Sequence, residues 1–309
     1  MRTLITGACG FVGGYLARHL QAQGDEVLGT VYSSDDRVFP FKTQRVDITS
    51  PEECSKVILT YRPEVVYHLA GIAFVPEAED NFIRAISVNV GGVNNIFRAC
   101  HLLELKTTVV LISSAEVYGR IKPTDLPITE ETPINPANNY SLSKRMAELV
   151  APRYEQFGYV RSVVMRPFNH IGPGQDNRFV ASSFAYQLAR IAQGKQDPVI
   201  QVGNLEAKRD FLDVRDVVRA YRLAAEKGRG VYNLASGNAI PIQEILDLLI
   251  KISGLNVRVE RDPARMRAAE VPEVRGSYEK AKRELGWTPQ HSMAETLQQI
   301  YAYWLSKAV

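Results

Sequence analysis

In the stretch NNYSLSKRMAE, Tyr140 and Lys144 stand four residues apart. On a helix that spacing puts both side chains on one face. An ammonium beside a phenol favours the phenolate, so the phenol is expected to titrate below its usual ~10 and to pass a proton to a carbonyl under reduction. In LISSAEVYG, residues 111–119, an apolar run ends in hydroxyls, and Ser114 by position can hold the same carbonyl oxygen. Glu116 follows where the chain reaches the edge of a cleft, as a catalytic acid or base, a substrate ligand or a surface charge. Tyr and Lys four apart also occur by chance in many helices. The pair gains its weight from the motifs that precede it.

The first of these is TGACGFVGG, which carries Gly7, Gly10 and Gly13, with Phe11 and Val12 between them, directly after the first strand-like run. Glycines there permit a tight turn, close approach of a pyrophosphate to backbone N–H groups, and close packing of helix on strand. Between a strand and a helix, the pattern predicts a dinucleotide site. The second strand, EVLGTVY, ends in Thr30, Val31 and Tyr32, with Asp35 and Asp36 several residues beyond and Arg37 able to reach only by folding back. With no carboxylate to repel a 2′-phosphate, NADP(H) is favoured and NAD(H) stays possible. Asp47 and Ile48 in QRVDIT, and Leu69 and Ala70 in the turn HLAG, fall at later strand ends, where adenine and ribose contacts are expected; each is equally a cap or turn residue.

The elements that must position these groups alternate along the first half. The runs RTLIT, EVLGTVY, EVVYHLA, TVVLISS and SVVMRP are strand candidates, separated by segments of helical spacing such as FVGGYLARHLQAQ and YSLSKRMAELVAPRYEQ. This predicts an α/β fold: a Rossmann-type, doubly wound parallel sheet that binds ligands at the carboxyl ends of its strands. From about residue 170 the rhythm loosens, with shorter strands such as GVYNLAS and a helix in PIQEILDLLIKISG opened by Pro241. Residues 1–168 read as the dinucleotide domain. Residues 169–309 read as mainly a smaller α/β substrate lobe, with some chain returning to the first and the cleft between the two.

With 309 residues, 45% apolar and 23% charged, and a net charge of +3, the chain can bury a sizeable core and gives no broad attraction to nucleic acid. Neither a signal peptide nor a run approaching the roughly 20 apolar residues of a membrane span is visible, so a cytoplasmic setting is expected. Cys9, Cys54 and Cys100 and the five histidines are scattered. No metal site is expected.

TGACGFVGG, SSAEVYG, YSLSK and RDFLDVRDVVRA, in that order across nearly the whole chain, resemble the extended short-chain dehydrogenase/reductases that act on nucleotide sugars. The resemblance implies a bound nicotinamide cofactor and, commonly, a homodimer. It also implies Tyr140 as acid/base, Lys144 as its pKa modifier and ribose ligand, and Ser114 as hydroxyl partner.

In RPFNHIGPGQDNRF, Asn169 is placed to meet a diphosphate or sugar, with a simple turn asparagine as the alternative. NLEAKRDFLDV brings Lys208 and Arg209 together, and an arginine fork suits phosphate oxygens. These phrases, with an Arg-x-x-Glu segment before ELGW, most resemble the branch handling GDP-mannose derivatives. That similarity implies Asn169, Arg209, Arg267 and Glu270 as substrate contacts. A 4,6-dehydratase of this fold needs a base and an acid; Glu116 matches the base, but Ala115 stands where a proton donor is needed, and alanine donates none. Ala115 and Glu116 are therefore expected to contact the sugar. The implied reaction is hydride transfer from NAD(P)H to the C4 keto group of a GDP-linked 4-keto-6-deoxy sugar. Dehydration of GDP-mannose, 4-epimerisation and a non-enzymatic NADP sensor are the alternatives.

Overall fold

The computed structural model describes residues 1–32, 39–265 and 271–307. Its first half alternates strand and helix: β1 (Arg2–Thr6), α1 (Phe11–Ala22), β2 (Glu26–Val31), β3 (Lys42–Arg45), α2 (Pro51–Tyr61), β4 (Val65–His68), α3 (Val75–Asp80), α4 (Phe82–Ile86), α5 (Gly92–Leu102), β5 (Thr107–Ile112), α6 (Asn139–Glu148), α7 (Ala151–Glu155) and β6 (Val160–Pro167). The strands form where β-branched residues cluster, and β4, VVYH, is buried at every position. Helix starts are set by caps. The Ser50 hydroxyl accepts from the Glu53 amide ahead of Pro51, and the Asn138 side chain accepts from the Ser141 amide at 2.7 Å while the Asn138 amide donates to the Ser141 hydroxyl at 3.2 Å. This capping box fixes where α6 begins. Tyr140 consequently lies in its first turn and Lys144 one turn later.

The second half continues with β7 (Asn169–Ile171), α8 (Val180–Ala192), β8 (Val199–Val202), β9 (Lys208–Asp213), α9 (Val214–Lys227), β10 (Gly230–Leu234), β11 (Ala239–Pro241), α10 (Ile242–Ser253), β12 (Arg258–Arg261), β13 (Glu273–Val274), α11 (Glu279–Leu285) and α12 (Met293–Ser306). Pro241 caps α10 as expected, and Gly254, with φ +67°, closes it in the left-handed conformation.

The main sheet has seven strands in the order β10-β6-β5-β4-β1-β2-β3, and every neighbouring pair is parallel. Two features depart from the sequence expectation. The strand β3, KTQR, was not foreseen: three of its four residues are exposed at the sheet edge, so it carries no apolar run. GVYNLAS, expected in the smaller lobe, instead supplies β10 at the opposite edge of the main sheet.

One face of the sheet packs on α1, α9 and α11, with Trp287 wholly buried among them; the other packs on α2, α5 and α7. A third core joins α8, α10 and α12 to β8 and β9. The segments of the second half that return to the main sheet are thus 212–234 and 281–287. Among the described residues, no helix is long and apolar enough to cross a membrane.

Candidate active site

The carboxyl ends of β1, β4, β5 and β6 define one edge, and the glycine loop opens it. Gly7 has φ +70°, and a Cβ there would lie 2.9 Å from the Ala70 Cα; one on Gly13 would lie 2.6 Å from the Gly7 carbonyl oxygen. Gly10 is the N-cap of α1 and offers no side chain to its first amides. Those amides remain available to an anion, while the missing Cβ atoms of Gly7 and Gly13 let the loop pack tightly on the 69–70 turn and on itself. The loop therefore fits a dinucleotide. Phe11 and Val12 begin α1, and the Phe11 ring lies parallel to His170 with centroids 6.3 Å apart.

The HLAG turn presses Leu69 and Ala70 against this loop. The Ala70 amide donates to the Thr6 hydroxyl at 3.1 Å, and that hydroxyl pairs with His68 Nδ1 at 3.0 Å. Asp47 is engaged in its own turn, accepting at 2.9 and 2.7 Å from the Thr49 amide and hydroxyl, and Ile48 is buried against Gly92. Both stand just past β3. At the end of β2, Tyr32 is exposed and its carbonyl accepts from Arg45 Nε at 3.3 Å. Sequence reasoning missed this guanidinium because it missed β3. Asp35, Asp36 and Arg37 lie outside the described residues.

Beside the loop lie Ser114, Tyr140 and Lys144, the residues expected to transfer a proton. Tyr140 is buried with Ser114 near enough to act on its titration, and the Ser114 hydroxyl accepts from the Glu116 amide at 3.2 Å. Lys144 Nζ donates to the Ile112 carbonyl at 2.8 Å. The titration expected of the phenol runs the other way in this structure. Burial pushes Tyr140 up to about 12, the Ser114 hydroxyl lowers it, and the Glu116 carboxylate raises it again. Lys144 points its charge at a backbone carbonyl and is itself brought down to about 8 by burial, with Glu148 opposing the fall.

Glu116 is exposed in the single turn Ala115–Tyr118, and Ala115 beneath it is buried. Asn169 is exposed at the head of β7, which runs parallel to β9 with Asn169 opposite Phe211. Arg209, two residues earlier on β9, is half-buried, and its Nη1 donates to the Lys208 and Val271 carbonyls, each at 2.8 Å. Arg267 and Glu270 lie outside the described residues. Sequence reasoning also missed Asn89, which bonds the Ile72 amide at 2.8 Å and the Ser143 hydroxyl at 2.9 Å, and so ties the loop after β4 to α6. It missed the buried pair Glu148–Arg166 as well, although Glu148 follows Lys144 at the spacing by which Lys144 follows Tyr140. Among the described residues, no group of three metal-ligating side chains converges.

The profile of the GDP-mannose 4,6 dehydratase family matches residues 4–300. The chain belongs to that family. Within it, the chain is 37% identical over 308 residues to the GDP-6-deoxy-D-mannose reductase of Pseudomonas aeruginosa, covering 99% of this chain and 98% of that one. A GDP-mannose 4,6-dehydratase of Vibrio cholerae is 27% identical, with 95% and 91% covered. The solved structure of RMD from Pseudomonas aeruginosa complexed with NADPH superimposes with a TM-score of 0.87 at 34% identity, covering 99% of each chain. This GDP-mannose 4,6 dehydratase family member thus has the extended short-chain dehydrogenase/reductase fold that its motifs resemble, and the seven-stranded parallel sheet is the one shared with the superimposed reductase.

Proposed function

We propose that the protein is a GDP-6-deoxy-D-mannose reductase, reducing the C4 keto group of GDP-4-dehydro-6-deoxy-D-mannose at the expense of NADPH. The observation that carries this reading is the pairing of an exposed Glu116 with a buried Ala115 beside an intact Ser114, Tyr140 and Lys144. Hydride delivery to a ketone needs one proton donor, and the phenol provides it. Loss of water from the sugar needs a second donor, which alanine lacks. The 37% identity of the reductase from Pseudomonas aeruginosa over the full chain supports the same choice.

NADPH, when bound, supplies the hydride. The amides after Gly10 receive its pyrophosphate, and Asp47, Ile48, Leu69 and Ala70 line the adenosine side. Arg45, at the end of β3 and bonded to the Tyr32 carbonyl just past β2, stands near the place where a 2′-phosphate would sit and favours NADPH over NADH. Lys144, charged below about pH 8, holds the ribose with the donors that Ile112 leaves spare. Tyr140, protonated throughout the neutral range, gives its proton to the C4 oxygen while the Ser114 hydroxyl steadies it. Glu116 accepts a sugar hydroxyl. Asn169, Arg209, Arg267 and Glu270 receive the nucleotide and diphosphate. We assign the working form to a homodimer in the cytoplasm; the exposed apolar side chains Leu142, Leu149 and Phe157, on or next to α6 and α7, support the dimer.

The test follows reduced-nicotinamide absorbance with GDP-4-dehydro-6-deoxy-D-mannose beside a GDP-mannose control. Consumption with the keto sugar alone is the expected result. Conversion of GDP-mannose to a keto sugar without net cofactor change favours dehydration instead; the exposed carboxylate of Glu116, close enough to act on the Tyr140 charge, is the observation behind that second reading.

A further inference from the structure

The helix that carries Tyr140 and Lys144 bears one more ionisable group on the same stripe. Glu148 follows Lys144 by one turn, and its side chain is 3% exposed. Three residues hold its carboxylate. The Ser113 hydroxyl donates to Oε1 at 2.6 Å, Arg166 donates through Nε and Nη2 to both oxygens at 2.8 Å, and Arg145 Nη1 donates to Oε2 at 3.0 Å. Arg166, equally buried, passes Nη1 to the Tyr118 hydroxyl at 2.9 Å, which donates to Asn233 Oδ1 at 2.7 Å. The end of β5, α6 and β6 meet on this one carboxylate, and the turn at 115–118 and β10 join it through Arg166.

A buried ion pair is weak evidence of stability, because well-packed apolar side chains hold a fold as well without desolvating two charges. What distinguishes this pair is its surroundings. Ser113 adjoins Ser114 along the chain, and Glu148 stands one turn from Lys144. We propose that Glu148 is a positioning residue of the reducing site: clamped by Arg166, it fixes the catalytic helix against the strand end bearing Ser114 and provides the counter-charge for the Lys144 ammonium. The inference rests on the roles given above to Ser114, Tyr140 and Lys144.

The electrostatics agree with the geometry. Burial disfavours the Lys144 ammonium and brings it to about 8, and Glu148 is the group that opposes this. Burial also pushes the Glu148 carboxyl up, but Arg166, Ser113 and Arg145 outweigh it and leave the carboxyl below its ordinary range. The other groups facing Lys144 carry no charge at neutral pH: His68 of β4 falls to about 3 by burial, Tyr140 of α6 rises to about 12, and β5 presents the Ile112 carbonyl. Glu148 is the counter-ion that these groups do not replace. Without its charge the lysine loses its proton at lower pH.

The experiment compares the full-length wild type with Glu148→Gln by two readouts across pH. One is NADPH affinity by nucleotide fluorescence without sugar; the other is kcat and KM for the keto sugar. In the glutamine variant the basic limb, near pH 8 in the wild type, is expected to move down by about one unit in both readouts. At neutral pH kcat is expected to fall about tenfold, with sugar KM changed less than about twofold. Glu148→Asp, which keeps the charge, is expected to restore the limb. A limb at its wild-type position in Glu148→Gln, or a Glu148→Asp variant indistinguishable from it, overturns the proposal. Should Glu148→Gln not fold, Ser113→Ala cuts the strand-end tie and keeps the ion pair: a lower kcat with the limb unmoved supports positioning, and an unchanged kcat refutes it. If the wild type itself leaves NADPH unconsumed with the keto sugar, the functional reading fails, and the pH profile of NADPH binding alone decides this one.

Discussion

Removing the Tyr140 hydroxyl takes one oxygen from a side chain that is already buried, so the ring keeps its packing and the cofactor its groove. Tyr140→Phe is therefore expected to bind NADPH nearly as the wild type does while losing about 10² or more in kcat; single-turnover rates beside a fluorescence titration of NADPH separate the two quantities. Turnover unchanged by the substitution removes Tyr140 from the proton path. At this scale the sequence was readable for identity and not for titration. The four-residue spacing of Tyr140 and Lys144 is a property of any helix, but the direction of the phenol's shift depends on what buries it. Burial comes from Ile72 in the loop after β4 and from Ala78 and Ala85 on α3 and α4, and the ammonium that spacing places nearby turns to the Ile112 carbonyl instead. Glu148 and Arg166 were hidden for the same reason. Nothing local says that two charged side chains will be sealed away together.

Elements that bury both faces announced themselves, and those that bury neither did not. β1, β4, β5 and β6 read as apolar runs, whereas β3 is KTQR on an exposed edge, and with it went the guanidinium of Arg45 bonded to the Tyr32 carbonyl at the end of β2. The glycine loop was readable because its constraint is steric and local. Gly13→Ala tests that constraint. Its Cβ would meet the Gly7 carbonyl oxygen at 2.6 Å and the Ala8 Cα at 2.7 Å, both backbone atoms with no freedom to rotate away. The loop must shift, at a cost of about 1–3 kcal/mol. The expected result is a lower Tm and at least a tenfold weaker NADPH Kd by titration; wild-type affinity in a folded variant removes the close approach of α1 to the loop as the reason for this glycine.

The whole molecule is less divisible than its sequence rhythm suggests. Residues 1–168 hold six of the seven main-sheet strands, yet Leu212, Val214, Tyr221, Tyr232 and Trp287 fill one of the two cores beneath that sheet. A fragment ending at residue 168 leaves that face covered by α1 alone, and it is expected to be unfolded or aggregated, with no cooperative thermal transition by circular dichroism. A soluble fragment that melts cooperatively and binds NADPH shows instead that the N-terminal half is autonomous. The rhythm after residue 170 hid this arrangement because β10 and α9 pack at long range, through contacts that no local pattern encodes.

The return of the chain to the main sheet also bears on how the cleft moves. The backbone passes into the smaller lobe after β6, comes back into α9, leaves again after β10, returns to α11 and departs once more for α12. A lobe joined by one or two connections swings about a hinge, whose few residues absorb the whole rotation. Here every crossing has to bend together, and the parallel pairing of β7 with β9 braces two of them side by side. This connectivity favours small displacements of rim loops over a rigid swing of one lobe as the motion open to the molecule.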